Sequence, residues 1–163
     1  MLSTSDAERF ARQIILPQIG ALGQERLLSS QVELCARGPA ADALRLYLVA
    51  AGVTVVAAQP ESDEEALRVV AVESAAEADR WLLGPLGVAH SAGSPCGRCL
   101  AVALRGALPG ALAPAIALAA GCLAAAPILL ALAGTEPPAP FVSLVWPEAR
   151  SFSPAVRRGC DCG

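Results

Sequence analysis

Apolar residues recur along this chain in two rhythms, one helical and one of short strands. Behind Asp6, which is placed to cap a first helix, Phe10, Ile14 and Ile15 recur at helical spacing. Gly20 and Gly23 interrupt that pattern, and ALGQERLLSS (21–30) predicts a second short helix. QVELCA (31–36), VTVVAA (53–58), LRVVAV (67–72) and FVSLVW (141–146) predict strands. The second is apolar throughout, as strands covered on both faces are. Between the first two, AADALRLYLVAAG (40–52) sets Leu44, Leu48 and Ala51 on one helical face and ends at Gly52. Strand, helix and strand in that order make a βαβ unit. Further on, QPESDEE (59–65) reads as a solvated acidic turn, SAAEADRWLLG (74–84) as a helix capped by Ser74, and GVAHSAGSPCGRC (87–99) as a loop. TEPPAP (135–140) reads as a proline-stiffened linker. No internal repeat is present. The pattern predicts an α/β fold, a truncated, mainly parallel sheet of these four strands with flanking helices.

One segment breaks the alternation of apolar and polar stretches. Between Arg105 and Glu136 there is no charged residue, and GALAPAIALAAGCLAAAPILLALAG (110–134) is long enough to cross a bilayer. It is rich in Ala rather than Leu, contains Pro114 and Pro127, and lacks flanking aromatic belts or a basic cluster. A buried, Pro-interrupted helix is the expectation, with no membrane partner.

Composition narrows the classes further. At 163 residues the chain fits one domain, with an N-terminal helical part (1–30), a βαβ part (31–94) and a part carrying the cysteine loop, the late helix and the last strand (95–163). A hydrophobic content of 55% argues against disorder. A net charge of −3 without any basic run excludes an electrostatic footprint for nucleic acid. The opening MLSTSDAERFARQIIL is too polar for an export signal, so a cytoplasmic location, with reduced thiols, is expected.

Reduced thiols give the cysteine spacing its meaning. Cys96 and Cys99 form C-x-x-C, which lets two thiolates bind one tetrahedral ion from a single turn, although redox disulfide motifs use the same spacing. Gly93, Pro95 and Gly97 give that loop the character of a zinc knuckle. Cys160 and Cys162 form C-x-C, a less common chelating pair. Together the four fit a closed structural zinc site. Cys35 and Cys122 sit among apolar residues and read as buried inert thiols, and His90 as a loop histidine without a special role. The turn Arg37-Gly38-Pro39 lies where a βα loop would cradle phosphate, but its one glycine, Gly38, is followed by a proline without an N–H. Where ribose would call for an acidic residue, the chain offers Gln59 and Pro60.

RFARQIILPQIGALGQERLLSSQV (9–32) resembles the opening of the ThiF/MoeB/HesA proteins, relatives of ubiquitin-activating enzymes, which begin R-Y-x-R-Q-I-x-L-P-x-I-G-x-x-G-Q-x-x-L. Arg9, Arg12, Gln13, Ile14, Leu16, Pro17, Gly20, Gly23, Gln24 and Leu27 fall in register. PCGRCL (95–100) is similar to the family's P-C-x-R-C-L knuckle, and RRGCDCG (157–163) to its terminal C-x-x-C-G with one residue missing. The resemblance implies a Rossmann-like sheet, a structural zinc, dimers, and adenylation of a ubiquitin-like sulfur carrier with ATP and magnesium. The family's G-x-G-G-L-G turn aligns with Ala36, Arg37, Gly38, Pro39, Ala40 and Ala41, leaving only Gly38. The segment carrying its ATP-contacting lysine and magnesium-binding aspartate is absent between Val56 and Cys96. Polar positions of its late helix read here as Ala124, Pro127 and Leu130. Of the catalytic set only Arg12 remains, matching an arginine that in the family reaches across the dimer towards ATP.

Losing the glycine turn, the lysine and the metal-binding aspartate removes the charge stabilisation on which phosphoryl chemistry depends. ATP is therefore not expected as a cofactor, and the resemblance points to a non-catalytic scaffold. Its partner would be a sulfur-carrier or ubiquitin-like protein or an active ThiF-like paralogue, in a homo- or heterodimer. Alternatives are a peptide-recognition partner in ribosomal peptide modification and a residual ATP-dependent adenylyltransferase.

Overall fold

The computed structural model describes residues 2–57, 67–71, 80–105, 110–135, 139–145, 147, 149–156 and 160–162. The acidic turn 59–65, the Ser74 cap, Pro60, Trp146 and residues 136–138 of the 135–140 linker lie outside the described residues. The described strands are β1 (Gln31–Leu34), β2 (Thr54–Ala57), β3 (Leu67–Ala71), β4 (Trp81–Gly84), β5 (Gly87–His90), β6 (Phe141–Leu144) and β7 (Arg150–Phe152). They form a seven-stranded sheet in the order β2-β1-β3-β4-β5-β6-β7.

The sheet is mixed rather than mainly parallel. The pairs β1–β2, β1–β3 and β3–β4 are parallel, and β4–β5, β5–β6 and β6–β7 are antiparallel. The first three expected strands are present and parallel, but 141–144 runs antiparallel to its neighbours. Three strands, β4, β5 and β7, were not expected at all. β4 occupies residues assigned from sequence to the end of a helix, and β5 the start of an expected loop. A four-residue apolar run such as WLLG carries too little periodicity to separate strand from helix. What decides it is the turn at Pro85 and Leu86, which folds Gly87 back beside Gly84. Gly87 is also required for space, since a Cβ there would collide with the Ser143 carbonyl oxygen of β6.

Helices cover both faces of the middle of the sheet. Val32, Leu34, Val69, Trp81, Leu83 and Val88 pack with α4 (Pro39–Ala50) and α6 (Ala113–Leu132). Val70, Leu82, Ala89, Val142 and Leu144 pack with Leu100, Ala101 and Leu104 of α5 (Gly97–Leu104) on the opposite face. Every residue of β4 and β5 is buried, as double coverage demands. The N-terminal helices α1 (Thr4–Arg9), α2 (Ala11–Ile14) and α3 (Gly20–Ser29) pack beside this core through Phe10, Gln24 and Leu27. Ser3, not Asp6, is the first cap. The Asp6 N–H donates to Ser3 Oγ at 3.1 Å, and the Asp6 carboxylate accepts from the Ser3 N–H in a capping box. Gly23 does not break α3; it lies inside the helix, buried, where a Cβ would sit 3.2 Å from that of Ala133. Gln24 is fully buried, and its Nε2 donates to the Ala51 carbonyl at 2.9 Å.

α4 keeps the expected face, with Leu44, Leu48 and Ala51 buried. It stops at Gly52, whose φ of 92° takes the left-handed region that ends helices. α6 is a continuous helix through Pro127, but its burial is partial, contrary to expectation. Ala117, Ala120, Gly121, Ala124, Ala125 and Ile128 form the buried stripe, and only 33% of the most apolar window of Gly110–Leu132 is buried. By length and composition this is one helix, among the described residues, apolar enough to cross a membrane.

Candidate metal centre

The chain leaves β5 at the end of the strands opposite the β1–α4 turn, because β5 is antiparallel to β4 and β4 parallel to the β1 side. There the Ser91 N–H donates to the Arg80 carbonyl at 2.8 Å, anchoring the loop on β4. Ser91 Oγ then accepts from the Gly93 N–H at 3.0 Å and donates to the Pro95 carbonyl at 2.6 Å. This buried serine fixes the turn that delivers Cys96 to the start of α5. Cys96 is the N-cap, and its carbonyl accepts from the N–H groups of Cys99 and Leu100 at 3.0 and 3.1 Å. One helical turn therefore sets both sulfurs on the same side.

Cys160 and Cys162 close the other half. Cys96 and Cys99 sulfurs are 3.7 Å apart, Cys96 and Cys160 3.6 Å, Cys99 and Cys162 3.7 Å, and Cys160 and Cys162 3.2 Å. All four sulfurs lie within 4.8 Å of one another. A zinc ion with bonds of about 2.3 Å to four tetrahedral sulfurs sets each sulfur–sulfur edge at about 3.8 Å. Three of the measured edges are within 0.2 Å of that figure, and the C-x-C edge is shorter. The four cysteines singled out from sequence are thus one cluster that can hold a metal ion.

The electrostatics of the cluster favour a cation. Burial raises the Cys96 thiol pKa, but the Cys99 backbone N–H and hydrogen bonds from Cys162, Cys160 and Cys99 outweigh it, lowering the value to about 7. At Cys162 the Cys96 N–H, 3.4 Å from the sulfur, lowers the pKa, but this is outweighed. Cys160, burial, Cys96 and Cys99 together push it up to about 12. A thiolate is therefore favoured at Cys96 and disfavoured at Cys162. Four negative sulfurs at this separation require a cation among them. With all four positions taken by protein, such an ion has no open site for substrate, which is the mark of a structural centre.

The remaining candidates lie apart from this cluster. Gly38 caps α4 with φ of 89° at the carboxyl end of β1. The adjoining cavity, about 150 Å³, is lined by Ala36, Arg37, Pro39, Ala40, Leu83 and Ala117 among others. Ligand sites usually enclose about 300–1,000 Å³. Arg12 is exposed on α2. Cys35 is half-buried just beyond β1, with the Arg68 guanidinium 3.9 Å from its sulfur. Cys122 is exposed on α6, not buried as expected. His90 is not in a loop; it ends β5, buried, with its ring 4.4 Å from Trp81 and 6.1 Å from Phe141.

Sequence reasoning missed a groove of about 440 Å³ lined by Gln13, Leu16, Ile19, Tyr47, Leu129 and Leu130 among others, between the N-terminal helices, α4 and α6. Ile15, just after α2, and Leu46, on α4, are 76% and 71% exposed. The available signal was the absence of charge over 106–135, which says that α6 is apolar on every side. No family model matches the chain, and no curated protein is significantly similar to it.

Proposed function

We propose that this protein is a degenerate, non-catalytic relative of the ThiF/MoeB/HesA proteins, a zinc-stabilised scaffold that binds a ubiquitin-like sulfur carrier or an active ThiF-like paralogue. The observation that carries the reading is the meeting of two cysteine pairs, distant in sequence, at spacings suited to one tetrahedral ion. It is supported by residues of the N-terminal motif. Gln24 and Leu27, both in register with the family pattern, are fully buried and tie α3 to the core. The parallel β2-β1-β3-β4 half of the sheet suits a truncated Rossmann-like origin.

A non-catalytic role follows from the β1–α4 turn. Pro39 offers no N–H to a phosphate, Ala40 and Ala41 replace glycines, and the cavity beside them is small and mostly apolar. The exposed apolar groove beside Tyr47 supplies a surface for protein binding in its place, in a homodimer or a heterodimer. A cytoplasmic location suits six free thiols.

The test is a pair of measurements on the metal-loaded protein. Size-exclusion chromatography with light scattering, run with a carrier-like protein ending in Gly-Gly and with a ThiF-type enzyme, should show a stable complex with one of them. Calorimetry with ATP and magnesium should show no binding. Micromolar, magnesium-dependent ATP binding with pyrophosphate exchange would return the protein to the adenylating enzymes.

A further inference from the structure

The four sulfurs of the cluster are unequally protected. Cys96 and Cys99 are 2% and 5% exposed, whereas Cys160 and Cys162 are half-buried. The shortest separation, 3.2 Å, lies within the more accessible pair. Oxidation of cysteine follows thiolate character and access, and a sulfenic acid is consumed by a thiol within reach. Accessibility and proximity therefore select the same two residues.

We propose that Cys160 and Cys162 form a redox-operated catch: a hydroperoxide joins them in a disulfide, expels the metal and frees the 160–162 segment from α5. The inference rests on the metal reading above. Cys160 is the sulfur that reacts first, because Cys162 already accepts the Cys96 N–H. The Cys160 thiolate attacks one peroxide oxygen, the O–O bond breaks, and the other oxygen leaves as hydroxide, which takes a proton to become water or, from an organic hydroperoxide, an alcohol. The Cys162 thiolate then attacks the sulfur of the Cys160 sulfenic acid. The S–S bond forms, the S–O bond breaks, and hydroxide again leaves and is protonated to water. The two thiolates give up two electrons and the peroxide takes both. Two ligands remain, Cys96 and Cys99, which α5 keeps in place, and a half-shell does not hold a structural ion. A small thiol reverses the step by exchange, resetting the catch when metal is present.

The experiment uses the full chain carrying Cys35→Ser and Cys122→Ser, loaded with zinc, with the unsubstituted chain run alongside. Metal content is measured first, hydrogen peroxide is added in equimolar amount, zinc release is followed with a metallochromic dye, and disulfides are located by peptide mass spectrometry. The expected result is zinc release in step with loss of two hydrogens from the peptide holding Cys160 and Cys162, reversed by dithiothreitol and zinc. Zinc retained through oxidation, or a first disulfide that includes Cys96 or Cys99, overturns the proposal while leaving the metal reading intact. A chain that takes up no zinc before peroxide is added overturns the metal reading and this proposal with it.

Discussion

Replacing Gly121 by alanine sets two effects against each other. In a helix interior Gly→Ala is ordinarily stabilising, by about 0.8–1 kcal/mol. Gly121, however, is where α6 lies against the first turn of α4. A Cβ there collides with the Ala40 carbonyl oxygen and lies 2.9 Å from both the Ala40 carbonyl carbon and the Ala43 Cβ. The first obstacle is backbone, so no rotamer change relieves it and the helices must separate. Overpacking of this kind costs about 1–3 kcal/mol, with backbone clashes at the upper end. The clash therefore wins, and Gly121→Ala is expected to lose about 1–2 kcal/mol net. In a protein of this size that lowers Tm by about 2–8 °C. Urea unfolding of the variant beside Gly110→Ala, where a Cβ meets nothing within 4 Å, measures the difference. A Gly121→Ala protein as stable as the parent would refute the close α4–α6 contact.

The other outcomes concern the cluster and its support. Serine at any one of Cys96, Cys99, Cys160 or Cys162 should abolish stoichiometric zinc on metal analysis, while the Cys35→Ser, Cys122→Ser chain keeps it. Chelation should lower Tm and expose the 149–162 region to limited proteolysis, both reversed by zinc but not by magnesium. Zinc affinity should rise with pH between 6 and 8 in competition titrations. In the metal-free cluster Cys96 still binds a proton up to about 7 and Cys162 up to about 12, so the ion must displace protons that become scarcer as pH rises. A flat profile would show that the ion is not held by these thiolates. Gln24→Leu should cost about 1–2 kcal/mol in urea unfolding, because it leaves the Ala51 carbonyl without its buried donor.

The cluster was legible in the sequence because chelation chemistry is local at each pair: two cysteines per turn, with glycines beside them. The parallel strands around α4 were legible for a similar reason, since Val-rich runs flank an amphipathic helix with a glycine stop. The β4–β5 hairpin was not. WLLG and GVAH are each four residues long, and their strand state is set by neighbours on either side, β3 and β6, that no local pattern reveals. The orientation of α6 was hidden for another reason. Alanine and large aliphatic residues stand on both sides of it, Ala120 and Ile128 buried and Ala119 and Leu118 exposed, so hydropathy carries no signal of which side faces the core. That is why Cys122 looked buried and is exposed.

The contact between Cys96 and Cys160 joins residues 64 positions apart. An ion at this point would therefore act on the unfolded chain as well as on the folded one. If it stays bound when the rest of the structure melts, it ties off a loop holding α5, α6, β6 and β7. On the chain-entropy account, closing a loop of that length removes disorder from the unfolded ensemble equivalent to about 4 kcal/mol at room temperature. A protein stripped of its metal would then be easier to unfold even if every packed side chain kept its place, because the disordered state it enters has grown larger.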